Sequence, residues 1–281
     1  MKNRIKFSSL LFHFFSLAIG LVMIYPLLWS LSSSFKDNAF MFSQAYSLIP
    51  EKWDILENYR SGWKGIGGID FGTFIWNSLI VSGLGTVGGV LSSVMAAYAF
   101  SRVKFKLSAF WFMCVMMTLM IPNQVMIVPQ YIIFKELNMI NTLSSLIAPW
   151  FFGNAFFIFL MVQFIRGLPM DLDEAAKMDG CGKLGVFYRI ILPLVSPAVI
   201  TSTIFSFYWI WQDFFQPLIF ISQPKWFTVS LALNMYLDPN SYSNYGGLFA
   251  MSVVSLIPVI LIFLIFQRYL VEGIATSGIK G

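Results

Sequence analysis

Six long runs of this chain contain no Asp, Glu, Lys or Arg: Leu10–Phe35, Phe71–Ser101, Leu107–Phe134, Leu137–Ile165, Ile190–Gln212 and Pro239–Gln267. Each can hold the roughly 20 apolar residues that cross a hydrocarbon core as a helix. A membrane β-barrel would instead need many short alternating segments, and lipid admits only helices or closed barrels. The pattern predicts an all-α membrane protein of six transmembrane helices.

Composition agrees. Hydrophobic residues make up 58% of the 281 positions and charged residues 11%, against about 25% charged in a soluble domain. Thirty phenylalanines and a mean hydropathy of +0.75 leave no room for a soluble reading. Lys2, Arg4 and Lys6 precede the first run. That run exceeds the roughly 7–15 residues of a signal-peptide core and ends in no clear small-x-small site, so it is expected to remain as a helix.

Orientation follows from the basic residues. Lys2, Arg4, Lys6, Arg102, Lys104, Lys106, Arg166, Lys177, Lys183, Arg189, Arg268 and Lys280 fall on one side, twelve of the 18 Lys and Arg. The positive-inside bias puts that side, and both termini, in the cytoplasm. The net charge of +5 then calls for no nucleic acid.

The rest of the chain organises around these spans as a single transmembrane domain over 1–281, with an extracytoplasmic loop expected at 36–70 and a cytoplasmic loop at 166–189. The outer loop carries Pro50, Asn58 and the glycine-rich SGWKGIGG of Ser61–Gly68, which suggest turns around a short amphipathic element. It is too small for its own core. Small residues cluster at Ser82–Gly85, Gly88-Gly89, Ser92-Ser93 and Ala96-Ala97, a pattern that brings membrane helices close together; substrate contact is the alternative. Cys114 and Cys181 lie in a span and a loop, so no disulfide is expected. His13 has no second histidine with which to build a metal site.

Polar groups inside spans are candidates for a path through the membrane. Asn154 stands mid-run in the fourth span, to bond another helix or to face a cavity. In the fifth, Pro193 and Pro197 invite a kink, and YWIWQDFFQP follows. Tyr208, Trp209, Gln212, Asp213 and Gln216 bring aromatic faces, amides and one carboxylate to that helix; anchoring at the lipid interface is the plainer reading of the aromatics. Aromatic faces and amides suit sugars, which offer both C–H patches and hydroxyls.

The loop at 166–189 holds a short polar helix. Asp171 and Glu174 have capping-box spacing. Asp173 and Glu174 sit near its positive end and Lys177 near its negative end. Asp173 and Lys177 form an i,i+4 pair, and Asp179-Gly180 supplies a stop. Leu172, Ala175 and Ala176 share a shallow face suited to a groove on another protein. The acidic cluster at 171–174 disfavours a resting place on anionic lipid.

Glu174-Ala175-Ala176, then Gly180, nine residues, Ile190, one residue and Leu192-Pro193 resemble the signature loop of ATP-binding-cassette importer permeases. Leu48–Pro50 with Glu57–Tyr59, Asn77-Ser78, Ala96–Arg102, Asn141-Thr142 and the tail Gly273–Gly281 are similar to the carbohydrate-uptake branch and its MalG-like second permease subunit. Ile274 and Ser277 depart from the leucine and glycine common in that tail. The resemblance covers nearly the whole chain and implies a type I importer permease fold.

It further implies an assembly: a second homologous permease, two ATPase subunits beneath, and an extracytoplasmic solute-binding protein that delivers a carbohydrate, most simply an oligosaccharide. Asp171, Asp173, Glu174, Ala175, Ala176, Lys177, Asp179 and Gly180 would form the coupling helix that rides in an ATPase groove. The chain itself has no GxxxxGK[ST] phosphate loop. It is therefore not expected to be an enzyme or to bind a cofactor; ATP and Mg²⁺ would sit on the partner ATPases. The implied home is a bacterial or archaeal cytoplasmic membrane. An ion-coupled carrier is the alternative, although a charged midmembrane relay is missing; a structural membrane subunit is another.

Overall fold

A computed structural model describes the backbone of residues 7–43, 46–237 and 244–278. The chain divides into two units, one of residues 1–72 and 232–257, the other of residues 73–231 and 258–281. Among the described residues the structure is helical apart from turns and two isolated bridges. In order, the helices are α1 (Phe7–Ser33), α2 (Ile55–Trp63), α3 (Phe71–Arg102), α4 (Ser108–Thr118), α5 (Asn123–Glu136), α6 (Ser144–Ile147) and α7 (Ala155–Arg166). There follow α8 (Asp171–Met178), α9 (Lys183–Val186), α10 (Leu192–Leu194), α11 (Ser196–Gln212), α12 (Phe215–Phe220), α13 (Val229–Met235) and α14 (Tyr245–Gly278).

Four stretches are long and apolar enough to cross a membrane: Leu11–Ser33, Phe71–Arg102, Ser144–Arg166 and Tyr245–Gln267. Two further stretches qualify only as bent pairs, α4 with α5 at 101° and Lys183–Leu194 with α11 at 75°. The third and fifth charge-free runs are therefore broken rather than straight. Pro122 stands at the first break and is the N-cap of α5. At the second, Val195 separates the two arms, and Pro197 in the first turn of α11 lacks the N–H that a continuous helix requires. Membrane burial is evident in α1, where Phe12, Leu17, Val22 and Met23 are each more than two-thirds exposed. A helix with so much apolar surface is stable only against lipid or another membrane segment.

In the first unit, α2 is the amphipathic element expected within residues 36–70. Asn58 is its buried anchor. Its amide donates to the carbonyls of Ser34 at 3.0 Å and Lys36 at 2.8 Å, satisfying two groups where the chain leaves α1. Tyr236 donates its hydroxyl to the Gly62 carbonyl, and burial pushes that phenol up to about 12. On the outer surface Lys52 pairs with Asp37 and holds its carboxyl below the usual carboxylate range. Replacing Asn58 with alanine should leave two buried carbonyls unpaired, at a cost of about 1–3 kcal/mol. Limited proteolysis should then cut the 36–70 segment sooner than in the unaltered chain; unchanged resistance would mean that other contacts hold it.

In the second unit the short polar motifs act as clamps. Asn77 donates to the carbonyls of Lys225 at 2.9 Å and Phe227 at 3.0 Å, while Ser78 accepts from the Val229 amide at 2.8 Å. Asn141 sits in the left-handed region at φ 61° and accepts from the Ser222 amide and hydroxyl. The small residues of α3 serve packing: a Cβ at Gly85 would lie 2.8 Å from Cδ1 of Ile210. Val94, Ala97, Met161, Ile165, Phe187, Ile191 and Ala198 form the core between α3, α7 and α11.

Candidate functional site

The second unit carries a half-open cavity of about 850 Å³. It lies where two apolar segments break. The first break separates the 3-10 turn Ala148–Phe152 from α7, and Gly153 turns the chain there at φ 84°, a conformation costly to any residue with a Cβ. Asn154 then caps α7: its side-chain oxygen accepts from the amides of Phe156 at 3.0 Å and Phe157 at 3.4 Å. Its own amide donates to Ser93 of α3 at 2.9 Å. The second break follows α11. There Asp213 accepts from the amides of Phe215 at 3.0 Å and Gln216 at 3.3 Å, opening α12. Both breaks free backbone donors in a low-dielectric setting, and both are met by a side-chain oxygen.

Around these caps the lining alternates amide and ring. Asn123 and Gln124 enter from the first turn of α5, and Gln212 and Gln216 flank Asp213. Trp150, Phe156, Trp209 and Phe214 supply aromatic surface. Trp209 is held in place by Phe157, whose ring stacks on it at 5.2 Å and 14°. Amides offer both donors and acceptors, as a hydroxyl does, so the chemistry of this wall suits a polyhydroxylated molecule.

Of the six path candidates, Asn154, Trp209, Gln212, Asp213 and Gln216 line the cavity; Tyr208 does not. It is one position, about 100° around the helix, from Trp209. Sequence reasoning also gave Asn154 a bonding or pore-facing role within a continuous helix. It is instead a cap at a break, and it faces the cavity as well. Asn123 and Gln124 went unnoticed because Leu107–Phe134 was read as one uninterrupted span, where Ile121-Pro122-Asn123 carried the signal; Trp150 went unnoticed because Leu137–Ile165 was read as another, although the chain turns at Gly153.

The polar helix expected within residues 166–189, α8, also differs in detail. Met170, not Asp171, is its N-cap, and no side chain caps it, so the expected capping box is not formed. Asp171 is already inside the first turn. Asp173 turns away from Lys177 to meet Arg102, the last residue of α3. The two approach to 2.9 Å, as an ion pair rather than an aligned hydrogen bond, with both side chains about 95% buried. Arg102 also donates to the Leu168 carbonyl at 2.8 Å and touches the sulfur of Met170.

Leu172, Ala175 and Ala176 do not share one surface. Ala176 packs with Asp173 toward the chain's own core, while Leu172, Glu174, Ala175 and Met178 remain exposed. The stop at Gly180 is as expected. Its φ is 82°, with Gly180 N–H donating to Lys177 and Cys181 N–H to Ala176, a Schellman closure. Cys114 and Cys181 are free.

Residues 88–276 match the model of the family described as binding-protein-dependent transport system inner membrane component. The chain belongs to that family. Permeases of this family are non-catalytic transport components, and ATP is hydrolysed on separate ATPase subunits. Among curated relatives, the chain is 36% identical over 263 residues to the probable ABC transporter permease protein YurM of Bacillus subtilis, covering 93% of this chain and 85% of that one. It is 32% identical to the arabinooligosaccharides transport system permease protein AraQ of the same organism, covering 95% and 94%. Its fold matches, at a TM-score of 0.80 and 21% identity, a bacterial ABC transporter involved in the import of the acidic polysaccharide alginate. That match covers 96% of this chain and 98% of the solved one.

In a permease the two features have separate places. The cavity is built from the breaks in the membrane helices, and α8 is an exposed element tied by Arg102 to the end of α3. Arg102 was legible only as part of the Ala96–Arg102 motif; its pairing with Asp173 bridges 71 positions and no local pattern signals it. The tail motif Gly273–Gly281 ends outside the described residues, as do residues 1–6.

Proposed function

We propose that this permease carries a carbohydrate, most simply an oligosaccharide, through a cytoplasmic membrane of a bacterium or archaeon. It does so as one of two homologous permease subunits, in the position of the MalG-like partner. Six spans result when each bent pair crosses once, and the basic residues then put both termini in the cytoplasm. A solute-binding protein would release the sugar into the path, and two ATPases would drive the cycle.

The observation that carries this reading is the outward face of α8. Leu172, Glu174, Ala175 and Met178 are exposed on a helix whose inner side is fixed by Asp173 and Ala176. A rigidly mounted helix with a shallow free face is suited to a groove on another protein. The ATPase is the partner whose motion needs such a lever. The relatives named for arabinooligosaccharides support the sugar assignment.

The test is purification of the tagged chain from its host in mild detergent, followed by mass spectrometry. A second six-span permease, an ATPase and a solute-binding protein should be recovered with it. Recovery alone, with transport that survives ATP depletion and collapses with an ion gradient, would overturn the proposal in favour of a secondary carrier.

A further inference from the structure

The charge of the cavity wall is lopsided. Among the described residues that line it, Asp213 is the one charged side chain, set among the amides of Asn123, Gln124, Asn154, Gln212 and Gln216. No lysine or arginine faces the space to receive an anion. Helix N-termini could have served instead, since their unpaired amides and dipoles attract negative charge. Here α7 and α12 begin at the cavity with those amides already taken, by Asn154 and by Asp213. The remaining N-terminus, that of α5, has no side-chain cap. Its dipole amounts to about half a positive charge, against the full negative charge of Asp213.

We infer that this cavity discriminates by charge: it admits uncharged saccharides and rejects uronates of the same length, with Asp213 setting the discrimination. The inference rests on the reading of the cavity as part of a sugar path. A hydroxyl donates and accepts, so each hydroxyl of a neutral sugar can pair with an amide of the wall or donate to Asp213. A uronate carboxylate only accepts. It would shed part of its water in a half-open cavity whose described lining offers no cation, beside a like charge, and both effects oppose entry.

Asp213→Asn separates the charge from the fold. Asparagine is as good a helix cap as aspartate, and Asn154 plays the same part at the other break. The variant should therefore keep α12 in place while removing the repulsion.

The full importer complex, reconstituted in nanodiscs without its binding protein, would be titrated with xylotriose and with trigalacturonate. The signal is the part of the tryptophan fluorescence change that disappears in Trp209→Phe. Xylotriose should give a saturable signal, and trigalacturonate should bind at least tenfold more weakly. In Asp213→Asn that gap should close to threefold or less. Trigalacturonate binding as tightly as xylotriose, or a gap that Asp213→Asn leaves unchanged, would overturn the discrimination while leaving the sugar path standing. A Trp209-dependent signal from neither sugar would overturn the path itself and the inference with it.

Discussion

Replacing Arg102 with alanine should uncouple ATP hydrolysis from transport while leaving the chain in the membrane. The Arg102 and Asp173 side chains are 5% and 4% exposed and lie 2.9 Å apart. Removing the guanidinium leaves a buried carboxylate without a cation, a loss of about 3–5 kcal/mol. Helix α8 has eight residues and no side-chain cap, and a helix so short does not hold itself together in isolation. The Leu168 carbonyl would lose its donor at the same time. Amide hydrogen exchange over residues 171–178 should accelerate by at least ~100-fold, and stimulation of the ATPase by loaded binding protein should be lost. Arg102→Lys should fall between, since an ammonium keeps the charge but not the fork that reaches Leu168 and Asp173 together. Replacing both partners with apolar residues should recover most of the protection, because the isolated buried charge is gone. Unchanged exchange in Arg102→Ala would show that α8 is held by Ala176 and the core alone.

This ion pair ties α8 to the end of α3. Arg102 closes a 32-residue helix, and at 1.5 Å per residue Ser93 lies about 14 Å back along it. Ser93 receives the Asn154 amide at the edge of the cavity, and one helical segment further Gly85 packs against Ile210 of α11. If α8 docks on an ATPase as proposed, a force on it would reach α3, which touches both helices at the cavity breaks. Ala97 and Gly85 are small where α3 packs closely on its neighbours.

How much of this was legible in the sequence depends on the range of the interaction. Helix α8 was readable because its signals are local: three acids in the first turn, Lys177 in the last, and Gly180 at the left-handed stop. The Asn58 and Asn77-Ser78 motifs could be seen as short polar matches, but not as clamps on carbonyls 22 to 150 positions away. The breaks in the third and fifth runs were harder. Hydropathy measures transfer into lipid and is blind to backbone direction, so a bend of 101° at Pro122 leaves an apolar run intact. Asp213 and Asn154 stood out as polar residues in greasy surroundings. Their shared task, capping a helix that restarts inside the protein, follows only from the breaks.

Reversing the charge at Glu174 should release the ATPase without disturbing the permease. Glu174 takes part in neither the Lys52–Asp37 nor the Arg102–Asp173 ion pair, so Glu174→Lys leaves both intact. Glu174 is exposed beside Leu172 and Ala175, where a groove on the ATPase would desolvate it. Losing a charge partner in a buried interface costs about 2–5 kcal/mol, or at least ~30-fold in affinity, and reversal adds repulsion. Copurification of the ATPase should fall accordingly and recover little at low salt, since a desolvated pair is weakly screened. Exchange protection over residues 171–178 should stay as in the unaltered chain, which separates this variant from Arg102→Ala. Ala175→Trp should give the same loss by bulk alone, as the shallow face no longer fits. If Glu174→Lys retains the ATPase while Arg102→Ala loses it, docking depends on how α8 is mounted, and the partner reads its backbone position rather than its charge.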